Sequence, residues 1–139
     1  MSEPLSTFSW PVRVYIEDTD AGGIVFYVNY LKYMERARTE CLRALGFGKT
    51  GIFNEDAMFV VHSMTVDYKA PAKLDELLSV EANVIQLKRT SILFQQNVLR
   101  DGELLCAGTI KIACVSPKEM KPVAIPESLL TVLKQHTRT

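Results

Sequence analysis

The sequence lacks an excess of charge of either sign, because sixteen Lys and Arg residues balance sixteen Asp and Glu residues among 139. A balanced chain has no global field that would gather nucleic acid or an anionic membrane, so any anionic ligand must be held by a local cluster. Long apolar runs are also missing, and no stretch approaches the roughly 20 apolar residues of a membrane span. The N-terminal sequence MSEPLSTFSWPVRVY has no basic segment followed by an apolar run. We therefore expect a cytoplasmic protein that binds no nucleic acid and has no integral membrane segment.

Histidine and cysteine, the commonest transition-metal ligands, are scarce. His62 and His136 are far apart and the cysteines show no paired spacing, so we predict no metal site. Three cysteines are an odd number within apolar segments, which favours buried, reduced thiols over a disulfide framework. The sequence also contains neither a GxxxxGK[ST] loop nor a dinucleotide-binding fingerprint, and we predict no cofactor. The cysteines are Cys41, Cys106 and Cys114.

Internal repeats, low-complexity runs and Pro/Gly/Ser linkers are absent. Since a hydrophobic content of 47% is enough to fill one core, we predict a single domain over residues 1–139. Residues 11–17 alternate, with Val12, Val14 and Ile16 on one side, which is typical of a strand.

From about Asn29 the apolar period lengthens to three or four residues, which predicts an amphipathic helix of about four turns. Asn29 has the chemistry of an N-cap, and Gly46 followed by Gly48 has that of a helix stop. We expect Tyr30 and Tyr33 to pack against the core and the charged residues to face solvent. The predicted apolar stripe is Tyr30, Met34, Ala37, Cys41 and Leu45, and the charged residues are Lys32, Glu35, Arg36, Arg38, Glu40 and Arg43.

Strands are predicted after the helix. Residues 58–69 alternate in a way that places His62 on an apolar face with Val60 and Met64, so we interpret His62 as a core or interface histidine. Apolar residues at every second position predict two further strands around residues 78–84 and 92–98.

A tight hairpin is predicted at Asp101-Gly102, leading into the long apolar strand ELLCAGTIKIACV. A short terminal helix follows, with Pro126 in its first turn. The order of elements is strand, long helix, four antiparallel strands in a meander, and short helix. A five-stranded sheet with one apolar face needs the long helix laid across it, so we predict an α+β domain whose sheet wraps around that helix.

The turn EDTDAGG, residues 17–23, lies between the first strand and the long helix. Gly22 and Gly23 let the backbone turn sharply, and the helix start offers unpaired N–H groups and a positive dipole to an oxyanion. A carboxylate from Asp18 or Asp20 could act there as general base or nucleophile. Acids before a helix also serve as ordinary caps and dipole partners, so composition alone leaves both interpretations open.

The stretch EDTDAGGIVFYVNYLKYMERAR resembles the signature of the hotdog-fold acyl-CoA thioesterases of the 4-hydroxybenzoyl-CoA thioesterase class. In that class an Asp-x-Asp-x-x-Gly-[Ile/Val]-Val turn leads into the central helix. WPVRVYIEDTDAGGIV, ERARTECLR, FVVHSMTVDYKAPAKLDELL and MKPVAIPESL extend the resemblance over nearly the whole chain, to the YbgC-type, Tol-Pal system-associated thioesterases. The resemblance implies a hotdog fold, in which a five-stranded antiparallel sheet wraps around one long central helix, and hydrolysis of acyl-CoA to free acid and CoA.

The resemblance also implies roles for residues of the turn. The catalytic aspartate falls on Asp20, as nucleophile or general base, and the backbone N–H that polarises the thioester carbonyl falls on Tyr27, with Gly23 giving close approach. Glu17 and Asp18 become structural or electrostatic neighbours. YbgC-type members usually carry a histidine where this chain has Tyr27, so a side-chain role at that position does not carry over.

Substrate-binding roles are implied for two further groups. Asn29 and Glu35 match positions that face the acyl pocket or support the loop, although an N-cap and a solvent-facing charge explain them equally well. Lys88, Arg89 and Ser91, in LKRTS, match the segment that holds CoA phosphates in the hydroxybenzoyl-type enzyme. A Lys-Arg turn between strands is otherwise commonly just solvated.

The resemblance implies a homodimer or homotetramer with the active site at the subunit interface. The carrier of the acyl group is left open between CoA and an acyl carrier protein. The alternative function is a non-catalytic acyl-CoA or acyl-carrier binding module, an adaptor linked to the cell envelope or lipid synthesis. A hotdog dehydratase is a weaker alternative, because it would pair a histidine with an acid and His62 has no such motif around it.

Overall fold

The computed structural model describes residues 7–47 and 56–136, and its strands form one antiparallel sheet with a long helix packed on it. This arrangement confirms the predicted fold class. The strands are β1 (Phe8–Arg13), β2 (Met58–Tyr68), β3 (Leu77–Leu87), β4 (Ser91–Arg100) and β5 (Glu103–Val115), and the helices are α1 (Val28–Ala44) and α2 (Glu127–His136).

The strand order in the sheet is β1-β3-β4-β5-β2, which corrects the predicted topology. β3, β4 and β5 form a meander, but β2 pairs with β5 rather than with β3. The prediction of a four-strand meander is therefore wrong, since alternation locates strands without telling which of them pair. The long helix contacts β1, β3 and β4, and β2 forms a free edge of the sheet within the described residues.

The first strand ends earlier than predicted. Val12 and Val14 are buried as expected, whereas Ile16 lies in a short 3₁₀ turn and is 77% exposed. The cause is Asp18, whose Oδ2 accepts the Tyr15 N–H at 2.9 Å and whose own N–H donates to the Tyr15 carbonyl at 2.9 Å. These two bonds close the chain into a turn before the alternation can reach residue 17.

The pairing of β2 with β5 is interrupted between Val61 and Ser63, as expected for a β-bulge at His62. The bulge reverses the alternation, so that Val61 rather than Val60 shares the helix-facing side of the sheet with Met64. His62 itself is exposed. The prediction of a core histidine is therefore wrong, and an interface role stays a prediction.

The long helix begins at Val28 with Tyr27 in the N-cap position, so Asn29 is not the N-cap. Asn29 lies in the first turn and is buried. Tyr30 and Tyr33 are also buried, as predicted. Of the predicted stripe, Tyr30, Met34, Ala37 and Cys41 are buried and Leu45 is partly buried.

The predicted helix stop is confirmed at Gly46, which has φ +96°. The Gly46 N–H donates to the Arg43 carbonyl at 3.0 Å, and the Phe47 N–H donates to the Leu42 carbonyl at 2.9 Å. These bonds form a Schellman motif, in which a left-handed residue satisfies the last carbonyls of the helix. Gly48 lies outside the described residues.

The sequence predicts a solvent-facing Arg38, but this residue is only 7% exposed. Its Nη1 donates to Gln96 Oε1 at 2.8 Å, and Gln96 Nε2 donates to the Met34 carbonyl at 2.9 Å. Burial lowers the pKa of Arg38, and the charge of Glu35 opposes this in part. A polar pair therefore joins α1 to β4 inside the core.

The C-terminal part agrees closely with prediction. Asp101 (φ +48°) and Gly102 (φ +82°) both adopt positive φ, as a two-residue hairpin turn requires. The last helix begins at Glu127, so Pro126 precedes the helix rather than lying in its first turn. The Pro126 carbonyl accepts the Leu130 N–H at 2.9 Å. The three cysteines are free and buried, as predicted.

Candidate active site

The side chain of Asp20 projects from a turn that is closed by its own backbone. The Asp20 N–H donates to the Ile24 carbonyl at 2.9 Å, and the Asp20 carbonyl accepts the Gly23 N–H at 3.0 Å. The Oδ1 atom accepts the Gly22 N–H at 2.8 Å, while Oδ2 has no hydrogen-bond partner among the described residues. The residue is exposed. One carboxylate oxygen is thus fixed, and the other faces solvent as an acceptor.

The two glycines of the turn serve different purposes. Gly23 has φ +79°, a conformation that L side chains rarely adopt, and its carbonyl accepts the Leu74 N–H at 3.2 Å. Gly22 has ordinary φ, but a Cβ there would lie 3.3 Å from Asp20 Oδ1. Gly23 therefore permits the turn, and Gly22 leaves room for the carboxylate beside it.

Asp18 and Asn29 connect the first part of the turn to the start of α1. The Asp18 carbonyl accepts the Phe26 N–H at 2.9 Å and Asn29 Nδ2 at 2.8 Å. Asn29 is 8% exposed, so its amide is committed to this contact inside the fold. The resemblance implied that Asn29 either faces the acyl pocket or supports the loop, and this geometry corresponds to loop support.

Tyr27 stands where the turn meets the helix. An antiparallel bridge between Thr19 and Val25 folds the chain back on itself, so that the carboxylate turn and the start of α1 belong to one corner of the molecule. Within the described residues the Tyr27 N–H has no hydrogen-bond partner, as is usual for the first N–H groups of a helix. Such a group, at the positive end of the helix dipole, can stabilise an oxyanion.

An aromatic cluster lines a cavity of about 240 Å³ beside Tyr27. The ring centroids of Tyr27 and Tyr68 lie 6.0 Å apart and those of Tyr30 and Tyr68 lie 5.6 Å apart, both edge to face. These rings make the wall apolar and rigid, which suits an acyl group better than a charged one. The lining residues are Val25, Tyr27, Tyr30, Tyr68, Lys69, Ala70 and Pro71.

Three tyrosines of this region, Tyr30, Tyr33 and Tyr68, have raised pKa values that favour their neutral form. Burial raises the pKa of Tyr30 and of Tyr68. Burial also raises the pKa of Tyr33, and the nearby Asp18 carboxylate raises it further. The Tyr33 hydroxyl is buried and has no partner that meets hydrogen-bond geometry in the described chain. Tyrosines with raised pKa values can donate hydrogen bonds, but they are poor candidates for a general base at neutral pH.

The predicted phosphate-binding residues lie far from Asp20 within one chain. Val14 exchanges backbone hydrogen bonds with Asp75 and Glu76, which places the start of β3 beside the carboxylate turn. Lys88 and Arg89 follow the other end of β3, on the order of 30 Å away at the usual rise per strand residue. Both side chains are exposed, whereas Ser91, beyond them, is only 7% exposed. One chain does not bring the two groups together.

Glu35 is also not brought to the turn. It is exposed on α1, eight residues after Tyr27, or about 12 Å along the helix axis. Burial lowers the pKa of Arg38, and the charge of Glu35 offsets only part of that lowering. Among residues 7–47 and 56–136, no cluster of three or more His, Cys, Asp and Glu side chains is arranged to hold a metal ion. The helices in those ranges are all too short or too polar to cross a membrane.

Sequence reasoning missed the contribution of Tyr68 and of the loop that follows β2. The Tyr68 hydroxyl donates to the Tyr27 carbonyl at 3.2 Å, and the Ala72 carbonyl accepts the Val25 N–H at 2.8 Å. Alternation assigned Tyr68 to an apolar face, but it could not indicate which helix residue this face would meet. The only signal was that DYKAPAKL belongs to the stretches that carry the family resemblance.

Comparison with known proteins identifies the family to which this chain belongs. The Thioesterase superfamily profile matches residues 22–107, which is more than half of the chain, and the chain belongs to this superfamily. It is 49% identical over 123 residues to the acyl-CoA thioesterase YbgC of Haemophilus influenzae, with 88% of this chain and 90% of that protein covered. It is 43% identical over 129 residues to the acyl-CoA thioester hydrolase YbgC of Escherichia coli, covering 92% and 96%. The chain is thus a YbgC-like member of the superfamily.

A solved structure agrees with this placement. The probable thioesterase from Bartonella henselae superposes with a TM-score of 0.82 at 30% identity, covering 87% of this chain and all of that chain. Asp20 precedes the segment matched by the family profile by two residues, so the match itself does not bear on its role.

Proposed function

We propose that this acyl-CoA thioesterase cleaves its substrate at the corner formed by the turn of residues 17–25 and the start of α1. Asp20 is the reactive carboxylate, and the Tyr27 N–H polarises the thioester carbonyl. The observation that carries the proposal is the geometry of the Asp20 carboxylate. The Gly22 N–H holds Oδ1, Oδ2 is unbound within the described residues, and α1 begins eight residues later, at Val28. Base or nucleophile and oxyanion site then come from one short segment.

Two chemical routes fit this geometry. In the first, Asp20 Oδ2 attacks the thioester carbonyl, CoA leaves as the thiolate, and water hydrolyses the resulting anhydride. In the second, Asp20 takes a proton from water, which attacks the carbonyl directly, and CoA leaves after proton return. Both routes develop negative charge on the carbonyl oxygen, where the Tyr27 N–H would stabilise it.

The acyl group is proposed to enter the cavity walled by Tyr27, Tyr30 and Tyr68, and the CoA phosphates to contact Lys88 and Arg89. Because these cations lie on the order of 30 Å from Asp20 in one chain, they are proposed to come from a second copy. The working enzyme is then a homodimer, or a homotetramer made of two such dimers, with each site shared between two subunits.

The edge strand β2 supports self-association. On its helix-facing side Val61 is 49% exposed, Met64 39% and Tyr68 46%, and the outer edge of the strand is unpaired in the described chain. A long apolar edge of this kind is a template for pairing with another strand, and natural monomers protect such edges. A second copy would cover this edge and bring its own β3–β4 turn toward the site.

Asp20→Asn tests the reactive carboxylate, with Glu119→Gln as a charge-matched control on an exposed loop. Loss of a general base or nucleophile should lower kcat roughly 10²- to 10⁴-fold, whereas Glu119→Gln should stay near wild type. Wild-type turnover by Asp20→Asn would show that the reactive group is elsewhere. Binding of acyl-CoA without turnover by the wild-type chain would favour a binding module instead.

A single turnover in ¹⁸O-labelled water tests the anhydride route. Attack of water on the carbonyl carbon of Asp20 in an anhydride leaves the label in the enzyme, where mass spectrometry of the peptide detects it. A general base leaves Asp20 unlabelled and places the label in the free acid, as does an anhydride opened at the acyl carbon, so label in Asp20 is the result that identifies the anhydride route.

Subunit complementation tests the shared site. An Asp20→Asn chain mixed with a Lys88→Ala/Arg89→Ala chain forms heterodimers in which one site has lost both groups and the other keeps both. Activity should therefore recover on mixing to a large fraction of one wild-type site. No recovery in verified heterodimers would place both groups in the same subunit's site.

The acyl carrier and the location are proposed as well. An acyl carrier protein is the alternative carrier, and comparing kcat/KM for one acyl group on CoA and on carrier protein decides between them. A cytoplasmic location is supported by the three free, buried cysteines, which suit a reducing compartment, and cell fractionation checks it.

A further inference from the structure

The loop between β2 and β3 forms a second layer against the Asp20 turn. The Val25 N–H donates to the Ala72 carbonyl at 2.8 Å, and the Leu74 N–H donates to the Gly23 carbonyl at 3.2 Å. Ile24 and Lys73 form an isolated antiparallel bridge between these two contacts. The backbone that follows Asp20 is therefore held as a short two-stranded ribbon whose other half is residues 72–74.

The same loop is tied to the start of α1. The Ala72 N–H donates to the hydroxyl of Tyr30 at 2.9 Å, and Ala72 is fully buried. A displacement of the loop would therefore move both the turn that carries Asp20 and the contacts of the first helical turn. The site depends on where this loop sits.

One guanidinium, that of Arg100 at the end of β4, holds the loop at two points. Its Nη1 donates to the Pro71 carbonyl at 3.2 Å and to Glu76 Oε1 at 2.8 Å. Glu76 Oε1 also accepts the Lys73 N–H at 2.6 Å, so the carboxylate connects Arg100 directly to the ribbon. The Nη2 atom donates to Glu103 Oε1 at 2.7 Å, which anchors the guanidinium to β5.

This geometry depends on the shape of an arginine side chain. A planar fork of donors can serve Pro71, Glu76 and Glu103 together, whereas a lysine ammonium is a compact charge that would reach fewer of them. The side chains of Arg100 and Glu76 are 21% and 25% exposed, and partly exposed ion pairs add little to global stability. Their effect should instead be local, because catalysis is sensitive to displacements of about 1 Å at the reacting groups.

We propose that Arg100 is a positioning residue for thioester hydrolysis, which holds residues 71–76 and, through them, the turn that presents Asp20. The inference rests on the proposed role of Asp20. It assigns Arg100 no contact with substrate, and it predicts an effect on kcat rather than on substrate binding.

The test compares Arg100→Met, Arg100→Lys and Arg43→Met with the wild type. Arg43 is the matched control, because its ion pair with Glu40 stays on the exposed surface of α1. Arg100→Met should lower kcat roughly ten- to hundredfold with KM within about twofold, Arg100→Lys should recover part of the loss, and Arg43→Met should match wild type. Wild-type kcat in a folded Arg100→Met enzyme would overturn the proposal.

Amide hydrogen exchange gives a readout that does not depend on activity. The Val25 and Leu74 amides, which bridge the turn and the loop, should exchange at least about tenfold faster in Arg100→Met, while the amides of the interior strand β5 keep their protection. Equal acceleration throughout the sheet would mean general destabilisation and would contradict a positioning role. If Asp20→Asn keeps full activity, the proposed reactive residue is wrong, and the exchange pattern still decides whether Arg100 positions this turn.

A second pair of variants keeps the test decisive if Arg100→Met does not fold. Glu76 contacts both Arg100 and the Lys73 N–H, whereas the hydrogen bond from Glu103 ends at Arg100. Glu76→Gln should therefore lower kcat and speed exchange at Leu74, and Glu103→Gln should do so severalfold less. Equal effects of the two substitutions would show that the charge on Arg100 matters but the loop contact does not.

Discussion

The hydroxyl of Tyr68, at the end of β2, donates a hydrogen bond to the backbone carbonyl of Tyr27, the N-cap residue of α1, across 3.2 Å. The bond joins the edge strand to the peptide next to the proposed oxyanion site. The Tyr68 ring also contacts both Tyr27 and Tyr30 edge to face. The Tyr68 side chain, which is 46% exposed, thus connects the edge strand to the start of α1 and forms part of the cavity wall.

Tyr68→Phe should therefore reduce the stability of the protein only slightly but lower its activity measurably. The ring contacts remain, and loss of a long, half-exposed hydrogen bond should cost about 0.5 kcal/mol. Tyr30→Phe is the comparison, since its buried hydroxyl is the acceptor for the Ala72 N–H, and leaving that donor unpaired should cost about 1–3 kcal/mol. Urea unfolding of both variants checks the order, and a larger loss for Tyr68→Phe would contradict it.

Tyr27→His tests whether the residue at this position sets acyl preference. The backbone N–H survives the substitution, so kcat for the best substrate should change by less than about tenfold, while the ring that walls the cavity becomes smaller and polar. The ranking of kcat/KM across short, long and aromatic acyl-CoAs should therefore shift. An unchanged ranking would leave Tyr27 as a backbone donor only.

The two glycines of the turn should respond differently to alanine. Gly23→Ala forces an L side chain into φ +79° and should cost about 1–2 kcal/mol, although nothing lies within 4 Å of its Cβ. Gly22→Ala has no such strain, but its Cβ would lie 3.3 Å from Asp20 Oδ1, so it should lower kcat with little change in stability. Thermal unfolding and steady-state kinetics measured together check this, and equal destabilisation would contradict it.

Much of the fold could be predicted because its elements are locally encoded. The period of the α1 stripe, the left-handed stop at Gly46 and the Asp101-Gly102 turn all depend on a few neighbouring residues, and all three are confirmed. The bulge at His62 and the pairing of β2 with β5 depend instead on partners roughly 40 to 60 residues away in the chain. Alternation gives no information about such partners.

The site follows the same division. The carboxylate turn could be identified from EDTDAGG and the family resemblance, because its chemistry lies in one short stretch. The hydrogen bonds from Arg100 to residues 71–76 could not be identified in this way, because that requires knowing that the end of β4 lies beside that loop. Arg38 could not be placed correctly either. Its charge predicted a solvent-facing side chain, and only the structure shows that Gln96 is its hydrogen-bond partner within the core.

The ionisation of Glu76 should make the stability of the fold depend on pH. Burial alone would raise the pKa of Glu76, but the hydrogen bonds from Arg100 and the Lys73 N–H outweigh it and lower the pKa below the ordinary 4.5. A carboxylate with a lowered folded pKa stabilises the protein above its unfolded pKa, and that contribution is lost as pH falls through the folded value. The stability difference between wild type and Glu76→Gln should therefore shrink from about pH 6 to pH 3. A constant difference over this range would contradict the coupling.

The buried Arg38–Gln96 pair should show strong coupling in a double-mutant cycle. Gln96→Leu leaves a guanidinium that is 7% exposed without its acceptor, which should cost about 3–5 kcal/mol. Arg38→Met removes the charge and leaves only the Gln96 amide oxygen unpaired, which should cost about 1–3 kcal/mol. The double variant replaces both polar groups with apolar ones of similar size and should recover most of the loss, because a dry apolar contact avoids desolvating a cation. Free energies of unfolding from urea titrations close the cycle, and additive losses in the double variant would show that the two side chains do not act as a pair.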